Sequence, residues 1–556
     1  MRKALVAALM LSLFAAHPVH AQSEGSDAIV IILDGASLPD LLAVDELRAV
    51  ATNGGAALMN GRSDVRQTFP DTFFPPRAVG RLPFTYVDLA TAQPSAAART
   101  VMEELRIASA PVLLLIISVS PSAASAADGD ELGTVIAAWG DPAELLEAQG
   151  EPHALTSEST RRAGVVADVD PAATVADWLD LPSDAGAPMR PTDEPVPLDL
   201  YERYLQQRRL AVPVAAAAWG LMLLFGLAGI LALAFRRRVS PRTLAVAGAL
   251  AGSLPWLAVG LLLVGHLASL TYATVVPFLL AVMVAGVAFT RWMHARRGIF
   301  VALAACGAVI LVILGIEAAL GWPAAVTPLA GGGQLDGGRF FGMPNIEIGI
   351  VLGSAMFLAH RIRVGSGVLL LAACALVAGS PWTGANFGAA ITLFAAAGMW
   401  LGVRRRRSWW LIVVFTGAVA AVGTAAVALM HRYLTDRSTH VTAFLEETDG
   451  VMGAVERQLE RLGVGLDLIT DNPLALIPVV GTLVLLVVVL RPPTVIAHSF
   501  EGRDAWRDAL LVIALGSIVA YLAEDTGAAA VGFAFGFGLS GLIDVSLDSA
   551  RRMMAR

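Results

Sequence analysis

The sequence is poor in charge and contains almost no lysine. Charged residues make up 15% of its 556 residues, Lys3 is the only lysine, and the formal net charge is -7. Hydrophobic residues make up 56% of the chain. This composition excludes an ordinary soluble domain and is typical of a polytopic membrane protein. The negative balance argues against a nucleic-acid partner.

Cysteine is nearly absent as well. Cys306 and Cys374 are the only two, and both lie in apolar segments of the second half of the chain. The mixed-polarity segment 22–205 has none, which excludes disulfides as its source of stability. That segment is therefore expected to fold on its own hydrophobic core.

The first residues, MRKALVAALMLSLFAAHPVHA, have the form of an export signal. Arg2 and Lys3 precede a short apolar stretch, and the small-residue site at 19–21 suits cleavage. We predict a signal peptide over residues 1–21; the alternative is an uncleaved anchor helix. Either one places the segment that follows outside the cytoplasm.

From about residue 210 the chain is a series of apolar runs long enough to span a bilayer. The predicted spans are 210–235, 243–266, 270–290, 298–320, 344–360, 364–381, 385–403, 408–430, 473–490, 508–523 and 527–545. With 22–205 outside, the inner loops carry nineteen arginines and the outer loops between spans carry five. This asymmetry predicts a bacterial inner-membrane protein with a cytoplasmic C-terminus. The predicted domains are 22–205 and 206–556.

The exported segment alternates buried strands with helical patterns. The runs AIVIILDGAS (28–37) and PVLLLIISVSPS (111–122) predict buried strands, and 164–182 predicts a strand, a turn and a helix with Pro171 near its start. Such a pattern favours an α/β sandwich around a largely parallel sheet. The predicted fold is thus an α/β domain followed by an all-α domain of about eleven transmembrane helices.

A strand ending in Asp34-Gly35, followed much later by LTSESTRRAGVVADVDPAATVADWL (155–179), resembles the alkaline phosphatase, sulfatase and phosphodiesterase superfamily. The resemblance implies an alkaline-phosphatase-like fold, with Asp34 as a metal ligand and Thr72 as the candidate nucleophile. It allows a divalent metal, but the ligand set is incomplete, because the strand at 111–122 is followed by no histidine and no carboxylate until Asp128. The alternatives are a turn or helix N-cap role for Asp34 before Leu38, and a plain loop role for Thr72.

Polar residues at membrane depth collect on the predicted external side, where they are costly unless they face a cavity or one another. Glu347 and His440 are the candidate catalytic residues there. The candidate substrate-binding residues are Arg339, Asn345, Asn386, Arg437, Glu524 and Asp525. Arg161 and Arg162 of the exported segment are interpreted either as a solvated pair or as a clamp for anionic head groups.

The overall layout resembles, in architecture alone, the eukaryotic GPI ethanolamine-phosphate transferases. GRFFGMPNIE (338–347) and EDTG (524–527) also resemble stretches of uncharacterised bacterial membrane proteins of this layout. Neither resemblance supplies a reaction.

Three functions are compatible with this sequence. The first is a transferase or hydrolase acting on a lipid-linked or phosphorylated envelope substrate at the outer face of the membrane. The second is a transporter or flippase with a non-catalytic external domain, favoured by the Gly-rich entry to the fifth span. The third is a pseudoenzyme scaffold. The expected partners are membrane lipids and lipid-linked precursors, and the sequence leaves the oligomeric state open.

Overall fold

The structure is a computed structural model. It describes residues 27–33, 36–60, 84–89, 93–108, 111–118, 132–147, 150–167, 169–181, 186–329, 335, 341–434, 463, 475–524 and 527–554. The predicted signal peptide at 1–21 lies outside these residues.

The N-terminal part is an α/β domain built around one eight-stranded sheet. Its strands are β1 (Asp27–Leu33), β2 (Gly55–Asn60), β3 (Phe84–Asp88), β4 (Val112–Ser118), β5 (Gly133–Gly140), β6 (His153–Thr156), β7 (Val165–Ala167) and β8 (Arg190–Pro195). Its helices are α1 (Leu38–Leu42), α2 (Asp45–Asn53), α3 (Pro94–Ile107) and α4 (Asp170–Trp178). The strands predicted in 28–37, 111–122 and 164–182, and the helix after the last of them, are confirmed.

The strand order is β3-β1-β4-β5-β2-β6-β8, with β7 paired to β2. The pairs β1–β3, β1–β4, β2–β6 and β2–β7 are parallel, whereas β5 and β8 run antiparallel to their neighbours. The sheet is therefore mainly parallel.

Both faces of the sheet are buried, as the unbroken apolar runs of β1 and β4 require. Ile29 and Ile31 of β1 pack in a cluster with α1, α2 and α3. Val30 and Ile32, which point to the other face, pack with Ala172 of α4. Helices therefore cover the sheet on both sides, which confirms the predicted α/β sandwich.

The described residues from 198 onward are mainly helical. The helices are α5 (Leu198–Ala234), α6 (Pro241–Gly252), α7 (Leu254–Leu263), α8 (Tyr272–Arg297), α9 (Ile299–Ala319), α10 (Glu347–Ala359), α11 (Val364–Gly379), α12 (Phe387–Arg404), α13 (Trp409–Tyr433), α14 (Leu476–Leu490), α15 (Thr494–Phe500), α16 (Asp504–Ala523) and α17 (Gly527–Met554).

Eight helical segments of the described chain are long and apolar enough to cross a membrane, or nine if α14 and α15 form one span bent by 72°. The apolar helices α10 and α11 are shorter. They lie where the sequence predicts the fifth and sixth spans. The count of eleven spans remains a prediction.

One end of the helical domain faces the α/β domain, and we call it the proximal end. Helix α5 is continuous through the predicted domain boundary at 205, and Tyr201 and Tyr204 in its first turns pack into the core of the α/β domain. Val326, from the loop after α9, joins the same core. The opposite end is called distal.

The helices around α17 approach closely through glycine. A Cβ on Gly349 of α10 would lie 2.1 Å from the carbonyl oxygen of Ala530, and one on Gly353 would lie 2.4 Å from the Phe537 ring. On α17, Gly532 packs against Trp219 of α5 in the same way. Small residues at these positions therefore allow the helices to pack closely.

Candidate functional site at the proximal end

Four of the predicted site residues lie in the described chain, and all four are at the proximal end. Asn345 and Glu347 stand at the start of α10, Asn386 immediately precedes α12, and Glu524 immediately follows α16. We call these four the proximal polar site. The other six, Asp34, Thr72, Arg339, Arg437, His440 and Asp525, lie outside the described residues, so their roles remain predictions.

Asn386 joins two segments of the helical domain. Its Oδ1 caps α12 by accepting a hydrogen bond from the Ala389 amide at 2.8 Å. Its Nδ2 donates to the Met343 carbonyl at 3.1 Å and to Asn345 Oδ1 at 3.3 Å. The side chain is fully buried. Two predicted residues, Asn345 and Asn386, are thus brought together, and Asn386 fixes the loop that precedes α10.

Glu524 reaches the same region from α16. One carboxylate oxygen lies 2.0 Å from the position that a Cβ on Gly388 would occupy. Only glycine allows this approach, because any side chain at 388 would overlap the carboxylate. The start of α12 is therefore held between Asn386 and Glu524.

Glu347 is the unusual member of the site. Its side chain has no exposed surface. Neither carboxylate oxygen has a hydrogen-bond partner within the described part of the chain. A buried carboxylate without compensating donors is costly, and at membrane depth such an acid marks a place where protons, ions or substrates are handled.

Glu317 brings a second acid close to Glu347. It lies at the end of α9 and acts electrostatically on the Glu347 carboxyl. Unlike Glu347 it is well bonded: Oε1 lies 2.5 Å from His266 Nε2, and Oε2 accepts from the Ala324 amide at 3.1 Å. His266 is 44% exposed whereas Glu317 is 4% exposed, so the pair connects the buried acids to the proximal surface.

Arg161 connects the α/β domain to the proximal end of the helical domain. Its Nη1 donates to the Pro381 carbonyl at 2.7 Å, in the loop between α11 and α12. Its guanidinium lies 4.0 Å from the centre of the Phe341 ring. His431, at the end of α13, donates from Nε2 to the Gly379 carbonyl at 2.8 Å in the same region. Arg161 is thus a docking residue, not a fully solvated one.

The loop that presents Arg161 is fastened by Asp170. Its carboxylate accepts hydrogen bonds from Ser157 Oγ at 2.5 Å, Ser159 Oγ at 2.6 Å, the Ala167 amide at 2.6 Å and the Ala187 amide at 2.9 Å. Burial raises the pKa of Asp170, and these hydrogen bonds oppose that shift. Asp170 lies in the stretch that resembles the phosphatase superfamily, and here it holds the 157–164 loop against α4.

At the end of β1, the structure corrects one alternative given for Asp34. Helix α1 is capped by Ser37, whose hydroxyl accepts from the Asp40 amide at 3.3 Å while the Ser37 amide donates to Asp40 Oδ2 at 3.1 Å. Asp34 is therefore not the N-cap of the helix that begins at Leu38. Among the described residues, no group of three or more His, Cys, Asp or Glu side chains is arranged to hold a metal ion.

The distal end holds buried acids that sequence reasoning missed. Asp544 of α17 pairs with Arg291 of α8 at 2.8 Å, and Asp508 of α16 pairs with Arg404 of α12 at 2.9 Å. Asp548 binds both His294 at 3.2 Å and Arg552 at 2.9 Å. These acids have cationic partners, unlike Glu347, and they fasten the helix ends together.

Comparison of the chain with protein-family models, curated proteins and solved structures finds no match.

Proposed function

We propose that this chain is an integral membrane protein of the bacterial envelope that acts as a transferase or hydrolase on a lipid-linked or phosphorylated substrate. The reaction takes place at the proximal end, which we assign to the external face of the inner membrane. The same proposal includes an alkaline-phosphatase-like origin of the α/β domain, eleven spans and a cytoplasmic C-terminus.

The buried, unpartnered carboxyl of Glu347 carries the proposal. Asp508 and Asp544 have arginine partners, Glu317 is bonded to His266 and the Ala324 amide, and Asp170 accepts four hydrogen bonds. Glu347 has no such partner in the described part of the chain, although its burial is complete. Such a group suits a general acid or base, because it can exchange a proton with a substrate that enters the site. We assign that role to Glu347.

The chemistry around Glu347 supports transfer of a phosphate-bearing group. Arg161 brings a guanidinium to the same end, and the predicted Arg339 would add another from the loop before α10. Guanidinium groups bind phosphate through paired hydrogen bonds. An arginine that binds the phosphate and a carboxyl that moves a proton are together suited to such a transfer reaction.

Transport is the second candidate, and broken helices favour it. Helices α14 and α15 meet at 72°. Interrupted helices are common where transporters bind their substrates. Membrane-buried acids also occur in proton-coupled transporters, where they carry the proton.

The decisive experiment uses full-length protein in liposomes made from bacterial lipids that carry radiolabelled phosphate. Products are separated by chromatography, and the leaflet distribution of labelled lipid is followed in parallel. The variants are wild type, Glu347→Gln and, as a matched control, Ser354→Ala, which alters another buried polar group of α10 that lacks a described partner. Transfer predicts a new labelled product, reduced about a hundredfold or more in Glu347→Gln and unchanged in Ser354→Ala.

Other outcomes separate the alternatives. Redistribution of lipid between leaflets without a new product would replace transfer by transport. A product that is lost in Asp34→Ala but kept in Glu347→Gln would move the reaction to the α/β domain. If wild type gives neither product nor redistribution, both candidate functions are wrong for these lipids.

A further inference from the structure

Two arginines from different parts of the chain lie near the junction of the α/β and helical domains, close enough for the charge of Arg203 to act on Arg162. Arg162 lies in the loop between β6 and β7, and Arg203 lies in the second turn of α5. Both side chains are half-buried. The Nε atom of each is buried and has no hydrogen-bond partner in the described part of the chain. We call this pair the junction arginines.

The backbone brings together the two segments that carry the junction arginines. Gly164 has a φ of 76°, and a Cβ there would lie 2.0 Å from Cγ of Pro197, the residue immediately before α5. The 157–164 loop is therefore pressed against the start of α5. Asp170 holds the other side of this loop through Ser157 and Ser159. The position of Arg162 beside α5 is thus built into the fold.

Arg203 ties the pair to the proximal end of the helical domain. Its Nη2 donates to the Gly265 carbonyl, and also to Thr327 Oγ1 at 3.3 Å. Both acceptors are neutral, and both belong to loops between helices. The junction arginines therefore lie where the helical domain meets the α/β domain, and they contact both.

The electrostatics of the pair are unfavourable in the absence of a ligand. Burial lowers the pKa of Arg162, and the charge of Arg203 lowers it further. The acid that acts on Arg203 among the described residues is Asp199, which is exposed to solvent. Two partly desolvated guanidinium groups are thus near enough for one to act on the other, and among the described residues no buried acid acts on either of them. Arg161 places a third cation next in the chain.

We propose that the junction arginines form a binding site for a phosphate group, carried either by a lipid headgroup or by free phosphate. A phosphate oxygen can accept from several guanidinium nitrogens at once, which would satisfy the buried Nε atoms and neutralise the repulsion. The site would bridge the two domains, so its ligand would strengthen their contact. It stands independently of the proposed transfer reaction, because binding is measured without turnover.

The test measures thermal unfolding of the full chain in nanodiscs of phosphatidylcholine, in sodium gluconate or in inorganic phosphate at matched ionic strength. Wild type is expected to unfold several degrees higher in phosphate. Arg162→Gln and Arg203→Gln should lose this gain, with phosphate affinity at least tenfold weaker. Arg190→Gln, which changes an exposed arginine of β8, should keep it.

A second arm distinguishes the source of the phosphate. Protein released from nanodiscs of phosphatidylglycerol or phosphatidylcholine is examined by native mass spectrometry for retained lipid. Retention of phosphatidylglycerol that depends on Arg162 and Arg203 identifies a lipid headgroup. A rise in unfolding temperature in inorganic phosphate, without retention of phosphatidylglycerol, identifies free phosphate as the ligand.

Two results would overturn the proposal. One is the lack of any arginine-dependent effect of either phosphate or phosphatidylglycerol on wild type. The other is an Arg162→Gln variant that unfolds at a lower temperature in gluconate but is still stabilised by phosphate as much as wild type. Arg162 would then have a purely structural role. Removal of one cation from an unliganded anion site should instead leave the temperature in gluconate unchanged or raise it. Arg162→Lys, which keeps the charge, provides a folded variant if Arg162→Gln does not fold.

Discussion

At the scale of single residues, Asp170 shows how one buried carboxylate organises the loop that contacts the helical domain. Four donors surround it, two of them serine hydroxyls and two of them backbone amides. The hydroxyls can rotate to become acceptors, but the amides cannot. The charge and the two-sided acceptor geometry are therefore both required at this position.

We expect Asp170→Asn to destabilise the α/β domain by about 1–3 kcal/mol, because the new NH2 group must face a backbone amide that then loses its acceptor. Hydrogen–deuterium exchange of the full chain in detergent should show faster exchange over residues 157–167. Asp177→Asn on the exposed side of the same helix is the control and should match wild type. Equal exchange in both variants would contradict the fastening role of Asp170.

The sequence shows which residues of the proximal end are polar but not what they contact. Asn345, Glu347, Asn386 and Glu524 stand out because polar side chains are rare in apolar runs. His266 escapes notice because its role depends on Glu317, which is distant in sequence but only 2.5 Å away in the structure. The positive φ of 55° at Arg161 and its contact with Pro381 likewise arise from tertiary packing.

At the scale of elements, buried strands and long apolar helices are predictable from composition, whereas their arrangement is not. The runs at 28–37 and 111–122 give β1 and β4 because continuous β-branched and aliphatic residues suit a sheet covered on both faces. The insertion of antiparallel β5 between β4 and β2 depends on pairing between distant segments. The break between α6 and α7 is also invisible in hydropathy, since residues on both sides of Ser253 are apolar.

The packing of α10 on α17 should be sensitive to a single methyl group. Gly349→Ala would place its Cβ 2.1 Å from the Ala530 carbonyl oxygen and 2.7 Å from the Ala534 amide, so the helices must separate. We expect a loss of about 1–3 kcal/mol and a clear fall in unfolding temperature, followed by tryptophan fluorescence in detergent.

Gly417→Ala is the matched control, because no atom lies within 4 Å of a Cβ at that position of α13. Alanine favours helix over glycine, so this variant should unfold at the same or a slightly higher temperature than wild type. If the unfolding temperature falls equally in both variants, the loss of a glycine destabilises the protein by itself, and the contact of α10 with α17 is not the cause.

At the scale of the whole molecule, the two ends of the helical domain use charge differently. The distal end matches each of its buried acids Asp508, Asp544 and Asp548 with a cation from another segment, or from its own helix in the case of Arg552. The proximal end leaves Glu347 without a described partner and presents arginines from the α/β domain. The distal pairs fasten the helix ends together, whereas Glu347 has no such pair among the described residues.

The contact between the two domains should depend on Arg161, and its backbone allows a sharp test. A non-glycine residue at a φ of 55° carries about 1–2 kcal/mol of strain, which the Pro381 hydrogen bond and the Phe341 ring offset. Arg161→Ala removes these contacts and retains the strain. Arg161→Gly removes the same contacts but relieves the strain. Both variants should expose residues 379–386 to faster hydrogen exchange, by about tenfold if roughly 1.4 kcal/mol of docking is lost.

The two variants should differ in the α/β domain itself. Residues 157–167 should exchange faster in Arg161→Ala than in Arg161→Gly, because only the glycine variant gains from an unstrained backbone. Arg190→Ala, which lies on the exposed β8, should leave both regions as in wild type. Unchanged exchange at 379–386 in Arg161→Ala and Arg161→Gly would mean that other contacts, among them those of Tyr201, Tyr204 and Val326, hold the domains together without Arg161. The proposed phosphate site would then lie at an interface that is already rigid. Its ligand could not strengthen the contact between the two domains.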